Sequence, residues 1–168
     1  MTATVRRLGP DDWETWRDVR LAALADAPRA FGSSLEREQT YTDADWRARL
    51  EPSRGLKATA VDVGAVGVVG VWMPEDRPAE LFGMWVHPSH RGRGVGDLLI
   101  TEALAWTRSA GLSRLDLWVV GDNAAAQKLY LRNGFTMTGE SQPYPRDPSL
   151  LEYVMSHDLT AADAPAAR

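Results

Sequence analysis

A run of alternating glycines and arginines, from Arg91 to Gly96, has the residue types that bind an anion. Glycines at positions 92, 94 and 96 carry no side chain that would keep a ligand away from the backbone amides, and Arg91 and Arg93 add positive charge. Such amides bind phosphate or pyrophosphate at the start of a helix. The run therefore predicts a phosphate site, and the alternative is a tight turn that needs glycines for its shape alone.

Two regular elements must hold this run in place. The residues before it, Leu81 to Val86, form an apolar, aromatic run with the length of a buried strand. After it, Val95, Leu99 and Ala103 recur at helical spacing, which predicts an amphipathic helix over about 94–111. The first amides of that helix lack internal partners and lie at the positive end of its dipole, about half a charge. The run is therefore predicted to be a strand-to-helix turn.

Two common nucleotide-binding motifs do not fit this turn. A dinucleotide fingerprint needs a glycine at its sixth position, which is Asp97 when counting starts at Gly92. A nucleoside-triphosphate loop needs Gly-Lys followed by Ser or Thr, which the run does not contain. The pattern Arg-x-x-Gly-x-Gly does fit residues 91–96, and here the chain resembles the acetyl-CoA loop of the GNAT acetyltransferase superfamily.

A second stretch, Asp122 to Phe135, strengthens the resemblance. It is similar to the GNAT signature Asn-x-x-A-x-x-L-Y-x-x-x-G-F, which begins here at Asn123, includes Tyr130 and is slightly stretched at the alanines. The two signatures occur in the order that the family shows, with a helix and a strand between them. Together they cover about residues 80–140.

The resemblance implies an α/β GNAT fold, with a mixed, mostly antiparallel sheet of about six or seven strands flanked by about four helices. It implies an N-acetyltransferase that takes acetyl-CoA as co-substrate, needs no metal, and acetylates a small-molecule or peptide amine by direct attack in a ternary complex. A module that binds or senses acetyl-CoA without turnover is the alternative. The implied cofactor-binding residues are Met84, Trp85, Val86, Arg91, Gly92, Arg93, Gly94, Val95, Gly96, Asn123 and Tyr130.

Two side chains have implied catalytic roles. Tyr130 matches the tyrosine whose hydroxyl faces the thioester sulfur, and a phenol can protonate a departing thiolate as a general acid. Glu80 lies as far before Arg91 as the general base of the histone-acetylating branch lies before its own loop, and a carboxylate can take the amine proton directly or through water. Structural alternatives are a core side chain for Tyr130, a helix cap for Asn123 and a strand-end carboxylate for Glu80.

Composition limits the class of protein. With 168 residues we expect one domain over 1–160, large enough to bury roughly 70% of its unfolded surface, and a disordered tail over 161–168. The absence of cysteine excludes disulfides, zinc–thiolate sites and a cysteine nucleophile, and fits a cytoplasmic location. A net charge of −4 argues against nucleic acid as a partner and favours cationic partners. The sequence contains neither a signal core nor a membrane-spanning run, and the family leaves a homodimer open.

Periodicity and turn residues predict the remaining elements. We expect strands over 3–8, 115–120, 135–138 and 151–157, a hairpin over 57–73, and helices over about 13–25, 43–50 and 123–132. Residues 142–148 contain too many prolines for regular structure and are predicted to form a lid or a dimer contact.

The acceptor site carries no motif. The aromatic candidates for its lining are Trp13, Phe31, Trp46, Trp85 and Tyr144. Glu36 and Glu38 lie where family members of this size place the acceptor cleft and would suit a cationic amine, and a solvated helix end explains them equally well. His87 and His90 lack a third ligand, which favours solvated loop histidines over a metal pair.

Overall fold

Seven strands form one sheet. The computed structural model describes residues 2–160, so the predicted tail over 161–168 lies outside the described residues. The strands are β1 (Thr4–Arg7), β2 (Leu56–Val61), β3 (Ala65–Trp72), β4 (Ala79–Val86), β5 (Arg114–Val120), β6 (Thr136–Tyr144) and β7 (Asp147–Asp158). Their order is β1-β2-β3-β4-β5-β7-β6, and neighbouring strands are antiparallel except β4 and β5. The predicted mixed, mostly antiparallel sheet is confirmed.

Five α-helices accompany the sheet within residues 2–160, where about four helices were expected. They are α1 (Trp13–Asp26), α2 (Leu35–Glu38), α3 (Asp43–Arg49), α4 (Val95–Ser109) and α5 (Ala124–Arg132). The additional helix, α2, is one turn long and lies in a segment that the sequence does not predict as regular. At the start of α3, the Thr42 hydroxyl accepts the Asp45 amide and the Asp45 carboxylate accepts the Thr42 amide, so both donors are satisfied. Within residues 2–160, no helix combines the length and apolarity needed to cross a bilayer.

Each face of the sheet has its own hydrophobic core. On one face, Leu99 and Ile100 of α4 are fully buried against the strands. On the other face, Trp16 of α1 and Trp46 of α3 pack with Val68 of β3. Side chains alternate between the two faces along a strand, so the position of a residue within its strand decides which helices it meets.

Strands β4 and β5 separate soon after they pair. Within the described residues, their parallel ladder contains Ala79 opposite Leu115 and Glu80 opposite Asp116, and no pair beyond these two. The backbone of residues 81–86 therefore faces an opening on its β5 side. An edge of this kind presents unpaired peptide groups to whatever enters the opening.

A bulge in β4 lies at this opening. The register of β3 and β4 shifts there, so that Val69 faces both Gly83 and Met84. Gly83 has a φ of +65°, a left-handed conformation that favours glycine. A Cβ at Gly83 would also lie 3.0 Å from Nη1 of Arg20, so any side chain there would be crowded. The bulge therefore brings the Arg20 guanidinium close to the β4 backbone.

Residues 142–148 form the end of the β6–β7 hairpin, so the prediction that they lack regular structure is wrong. Strand β6 continues to Tyr144, and β7 begins at Asp147. Pro143 is tolerated because β6 is the outermost strand of the sheet, where one side of the backbone needs no ladder hydrogen bond.

The end of this hairpin is anchored on the loop that follows α1. The Tyr144 hydroxyl donates to the Arg29 carbonyl at 2.6 Å. Nη1 of Arg146 donates to the carbonyls of Pro28 and Ser33, each at 2.6 Å. These contacts connect the last two strands of the chain to the segment that follows its first helix.

Candidate active site

A cleft of about 1200 Å³ fills the opening between β4 and β5. One side of it is lined by residues of α4, α5 and the loops before them, including Gly94, Asn123 and Tyr130. The other side is lined by residues of α1 and the loop after it, including Arg20 and Phe31, and by Trp72, Trp118, Gln142 and Glu152 of the strands. We call these two sides the α4 half and the α1 half of the cleft.

The glycine-rich loop supplies free amides to the α4 half. In the described part of the chain, the amides of residues 92–96 donate to no carbonyl or side chain. Gly92 and Gly94 have φ values of +72° and +79°, and nothing lies within 4 Å of the Cβ that either would carry. The Arg91 amide differs, since it donates to the Pro88 carbonyl at 3.3 Å. Residues 92–96 therefore form a concave row of donors, which is suited to an anion.

The loop arginines contribute less free charge than the sequence suggests. Nε of Arg91 donates to the Val86 carbonyl at 2.9 Å, and its Nη2 donates to Asp26. The Trp85 indole also donates to Asp26, at 2.9 Å, and this bond together with that from Arg91 holds the pKa of the Asp26 carboxyl below its usual value. Arg91 thus connects α1, β4 and the loop. Arg93 is exposed and lies outside the lining of the cleft.

The first turn of α4 is fixed against α5. A Cβ at Gly96 would lie 3.1 Å from the Leu129 side chain and 3.4 Å from that of Met84, so glycine permits this close approach. The Asp97 carboxylate accepts two hydrogen bonds from Arg132, at 2.8 and 2.9 Å, and one from Asn133 at 2.8 Å. These partners neutralise the acidic side chain of the first turn, which would otherwise repel an anion at the loop amides.

The three β4 positions that the resemblance implicates differ in the direction of their backbone groups. The His87 amide donates to the Val66 carbonyl of β3 at 2.8 Å. Because alternate residues of an antiparallel pair bond to the partner strand, the peptide groups of Trp85 face β3 and those of Val86 face the cleft. Met84 lies in the bulge and lines the cleft. The exposed edge can accept an extended ligand as another strand would.

Tyr130 and Asn123 each have a structural role in the fold, and both also line the cleft. Tyr130 is only 7% exposed, packs edge-to-face on Phe135 at 5.8 Å and lines the α4 half. Burial raises the pKa of its phenol, so the hydroxyl keeps its proton at neutral pH. Oδ1 of Asn123 accepts the Ala126 amide at 3.2 Å and caps α5, while the same side chain lines the cleft.

Glu80 lies at the closed end of the cleft, where β4 and β5 still pair. Burial raises the pKa of its carboxyl, the Arg77 guanidinium at 3.8 Å opposes that rise, and the carboxylates of Asp116 and Glu152 add to it. A carboxylate whose pKa lies above the ordinary value is a stronger proton acceptor.

Comparison with known proteins connects this geometry to a family. The sequence model of the Acetyltransferase (GNAT) family matches residues 16–135. The chain belongs to the GNAT family. It is 30% identical over 123 residues to the mycothiol acetyltransferase of Beutenbergia cavernae, covering 72% of this chain and 40% of that protein. It is 39% identical over 140 residues to an uncharacterized N-acetyltransferase of Methanocaldococcus jannaschii, covering 80% of this chain and 61% of that one. The chain thus spans about half the length of these relatives.

Solved GNAT structures share the fold. An acetyltransferase from Streptococcus pneumoniae superposes with a TM-score of 0.78 at 22% identity, covering 94% of this chain and 99% of that one. An acetyltransferase from Salmonella typhimurium, solved with its cofactor acetyl-CoA, superposes with a TM-score of 0.74 at 22% identity, covering 100% of both chains. At these identities the likeness concerns the fold.

The α1 half of the cleft in this GNAT chain contains side chains that the sequence analysis did not select. They are Arg20, Trp72, Trp118, Gln142 and Glu152. Nε2 of Gln142 donates to the Glu152 carboxylate at 2.6 Å. Strand alternation could have identified Trp118, because its neighbours Leu117 and Val119 both lie in the α4 core.

The predicted aromatic candidates divide between the cleft and the core. Phe31, Trp85 and Tyr144 line the cleft. Trp13 and Trp46 lie instead in the core between α1, α3 and the sheet, so their predicted place in an acceptor pocket is wrong. Helical spacing explains the error, because both residues occupy the apolar side of their helices.

The predicted acceptor glutamates also lie elsewhere. Glu36 is exposed on α2 and lies outside the cleft lining. Glu38 is buried, and its two carboxylate oxygens accept hydrogen bonds from Arg20 at 3.0 and 2.8 Å. Neither carboxylate is available to a ligand in the cleft.

The loop histidines have protein partners. Nδ1 of His87 lies 2.7 Å from the Ser89 hydroxyl, and Nε2 of His90 lies 3.2 Å from the Asp62 carboxylate. Within residues 2–160, no group of three or more potential metal-ligating side chains comes together.

Proposed function

We propose that the chain is an N-acetyltransferase that transfers an acetyl group from acetyl-CoA to a primary amine by direct attack in a ternary complex. The observation that carries this proposal is the placement of the buried Tyr130 phenol and the unpaired amides of residues 92–96 in the same cleft. The naming of relatives as acetyltransferases and the presence of acetyl-CoA in the Salmonella structure support it. The acceptor is a small-molecule or peptide amine.

The cleft has groups that fit coenzyme A. The free amides of residues 92–96 would hold its pyrophosphate, because they are unpaired, concave and at the positive end of α4. On the β5 side of β4, the Val86 amide would donate to the pantetheine arm, whereas the Val86 carbonyl already accepts Nε of Arg91. The Asn123 side chain would add a polar contact. When bound, acetyl-CoA supplies the acetyl group as an activated thioester.

Two side chains would move the protons of the reaction. The attacking amine must be neutral, and Glu80 at the closed end of the cleft would take its proton directly or through water. As the nitrogen–carbon bond forms and the carbon–sulfur bond breaks, the Tyr130 hydroxyl would give its proton to the sulfur. The proton that the nitrogen loses as it becomes an amide would return through water to the phenolate. Its pKa, raised by burial, keeps this proton on the phenol until then. The row of free amides would hold the ligand in line with both groups.

Replacement of Tyr130 tests this proposal. We expect Tyr130→Phe to lower kcat for thiol release by roughly 10²- to 10⁴-fold, because the change removes the acid and keeps the ring. Binding of coenzyme A, measured by calorimetry, should stay the same. Tyr41→Phe is the matched control, because Tyr41 packs on Trp46 outside the cleft. Removal of its hydroxyl should leave kcat unchanged.

A panel of amines separates the two functions that the sequence left open. Binding of acetyl-CoA without thiol release above background for any amine would support a non-catalytic binding or sensing module and reject acetyl transfer. Equal kcat values for Tyr130→Phe and the unchanged chain would instead reject the phenol as the acid and leave acetyl transfer in place.

A further inference from the structure

A smaller cavity of about 240 Å³ lies beside the α1 half of the cleft. Its other walls come from α1, α2, α3 and the chain that leads into β2. Arg20, Trp72 and Phe82 line both this cavity and the cleft, so the two spaces share a wall. We call the smaller space the basic cavity, because arginine and lysine side chains line it.

The lining of the basic cavity has an excess of positive charge. Four cationic side chains line it, namely Arg20, Arg49, Arg54 and Lys57. Among the lining residues the only carboxylate is Glu38, which already accepts two hydrogen bonds from Arg20. Burial is the largest influence on the pKa of Glu38 and raises it, but the hydrogen bonds and charge of Arg20, together with smaller contributions from Ser33 and Arg49, lower the pKa on balance. This carboxylate is therefore charged and paired with Arg20. Among the described residues, Arg49, Arg54 and Lys57 therefore line the cavity without a salt bridge to its one carboxylate.

Lys57 is the most buried of these three cations. The residue is 6% exposed, its Nζ donates to the Arg54 carbonyl at 2.8 Å, and the ammonium lies 5.7 Å from the Phe82 ring centroid. Burial lowers the pKa of Lys57 to about 8, and the charges of Arg54 and Arg49 act in the same direction. A buried charge is costly unless it is paired, and an ammonium has three donors to satisfy. A bound anion would supply both the countercharge and acceptors.

Arg20 presents a second unsatisfied group. The residue is 8% exposed, and its Nη1 is buried with no hydrogen-bond partner among the described residues. Arg20 belongs to the wall that the two spaces share, and a Cβ at Gly83, a residue of the cleft lining, would lie 3.0 Å from this nitrogen. Unpartnered buried donors are rare in folded proteins, and this one points to an acceptor supplied by a ligand.

We propose that the basic cavity binds the anionic group, a carboxylate or a phosphate, of the amine acceptor. Lys57 and the arginines supply the charge-assisted donors that such oxygens need. Because the cavity shares a wall with the α1 half of the cleft, the rest of the acceptor would extend past Phe82 toward Glu80. The assignment to an acceptor rests on the proposed acetyl transfer, whereas the anion site rests on the cavity itself.

Lysine NMR tests the anion site directly. The chain contains two lysines, Lys57 and the exposed Lys128 of α5. In protein labelled with ¹³Cε-lysine, inorganic phosphate should shift the Lys57 resonance and leave that of Lys128 unchanged. Coenzyme A at saturation occupies the loop amides and prevents phosphate binding there. A Lys57 resonance that moves no more than that of Lys128 overturns the site.

Matched pairs of amines test whether the anion belongs to the acceptor. Amino carboxylates and aminoalkyl phosphates of increasing chain length are each compared with the alkylamine of the same length. At least one anionic amine should shift the Lys57 resonance and should exceed its alkylamine in kcat/KM by roughly tenfold or more. If phosphate shifts Lys57 but every anionic amine behaves like its alkylamine, the cavity takes a free anion and the assignment to the acceptor is wrong.

Three variants complete the test. The ratio of kcat/KM for the anionic amine to that for its alkylamine should fall to about one in Lys57→Met. The ratio should fall several-fold in Arg54→Gln, a change at an exposed residue, and should stay the same in Lys128→Met. The Arg54 variant gives the answer where Lys57→Met fails to fold. Equal losses for both members of a pair would indicate a structural role and overturn the proposal. Absence of thiol release with any amine, together with a Lys57 resonance that responds to anionic amines, would reject acetyl transfer and retain the site.

Discussion

The two halves of the cleft present their polar groups in different ways. The α4 half offers main-chain amides from one short segment, residues 92–96. The α1 half offers side chains from helices and strands far apart in the sequence, among them Arg20, Gln142 and Glu152. Every residue except proline carries a backbone N–H, so the α4 half depends on backbone conformation and not on side-chain type. The α1 half depends instead on charges that neighbouring side chains must hold in place.

The largest loss of stability is expected when a buried negative charge is removed on the α1 side of the cleft. In Glu38→Gln the Arg20 guanidinium loses its countercharge while it remains buried, and removal of one partner of a buried ion pair typically costs about 3–5 kcal/mol. We expect a loss of that order in the free energy of unfolding, measured by urea denaturation with and without coenzyme A. Coenzyme A should bind to the folded variant with unchanged affinity, because the α4 half is untouched.

An ion pair on the α4 side is the matched control for this change. Asp97 and Arg132 are joined by two hydrogen bonds of 2.8 and 2.9 Å, close to the 3.0 and 2.8 Å between Arg20 and Glu38, but both side chains are substantially exposed. Exposed pairs contribute little, so Asp97→Asn should change the free energy of unfolding far less than Glu38→Gln. Equal costs for the two changes would remove the contrast between the halves.

The next largest effect is expected from backbone strain in the glycine-rich loop of the α4 half, which should lower both stability and the affinity for coenzyme A. Gly94→Val forces a branched side chain into a φ of +79° at the start of α4, at a cost of about 1–3 kcal/mol. The loop should relax away from the conformation that aligns its amides, and coenzyme A should bind roughly tenfold or more weakly in calorimetry.

A glycine with a similar conformation outside the loop provides a control that separates the effect of backbone strain from the loss of the loop amides. Gly111, which follows α4, has a φ of +75° and also has nothing within 4 Å of its Cβ position. Gly111→Val should destabilise the fold by a similar amount and leave the affinity for coenzyme A unchanged. If both variants weaken binding alike, the loss reflects general destabilisation and not the loop amides.

The same contrast explains which features the sequence could predict. The loop and the α5 segment are contiguous motifs, and their glycines, Asn123 and Tyr130 all line the cleft, while the cofactor-binding roles that the resemblance implies stay predictions. The order of strands and helices followed from periodicity and turn residues. Pro143 misled the prediction because only the sheet order reveals that β6 is an edge strand, where proline is tolerated.

The α1 half could not be predicted because its residues come together only through tertiary contacts. Arg20 lies within an amphipathic helix, and nothing local distinguishes it from Arg17, the other arginine of α1. Glu38 looks like a solvated helix end until its pairing with Arg20 is known. Trp13 and Trp46 looked like pocket residues because aromatic type alone does not separate a core from a cleft.

The smallest expected effect is a shift in the pH dependence of the reaction, caused by the charge next to Glu80. Glu80 is the proposed base and lies at the closed end of the cleft, where the two halves meet. The half-exposed Arg77 guanidinium lowers the pKa of this carboxyl, against the rise caused by burial. In Arg77→Gln the carboxylate should therefore accept its proton at higher pH. The acid limb of kcat/KM against pH should move upward, by less than about one pH unit because the arginine is solvated. Glu80→Gln should abolish this limb, whereas a limb that stays in place in both variants would assign the base role to another group or to water.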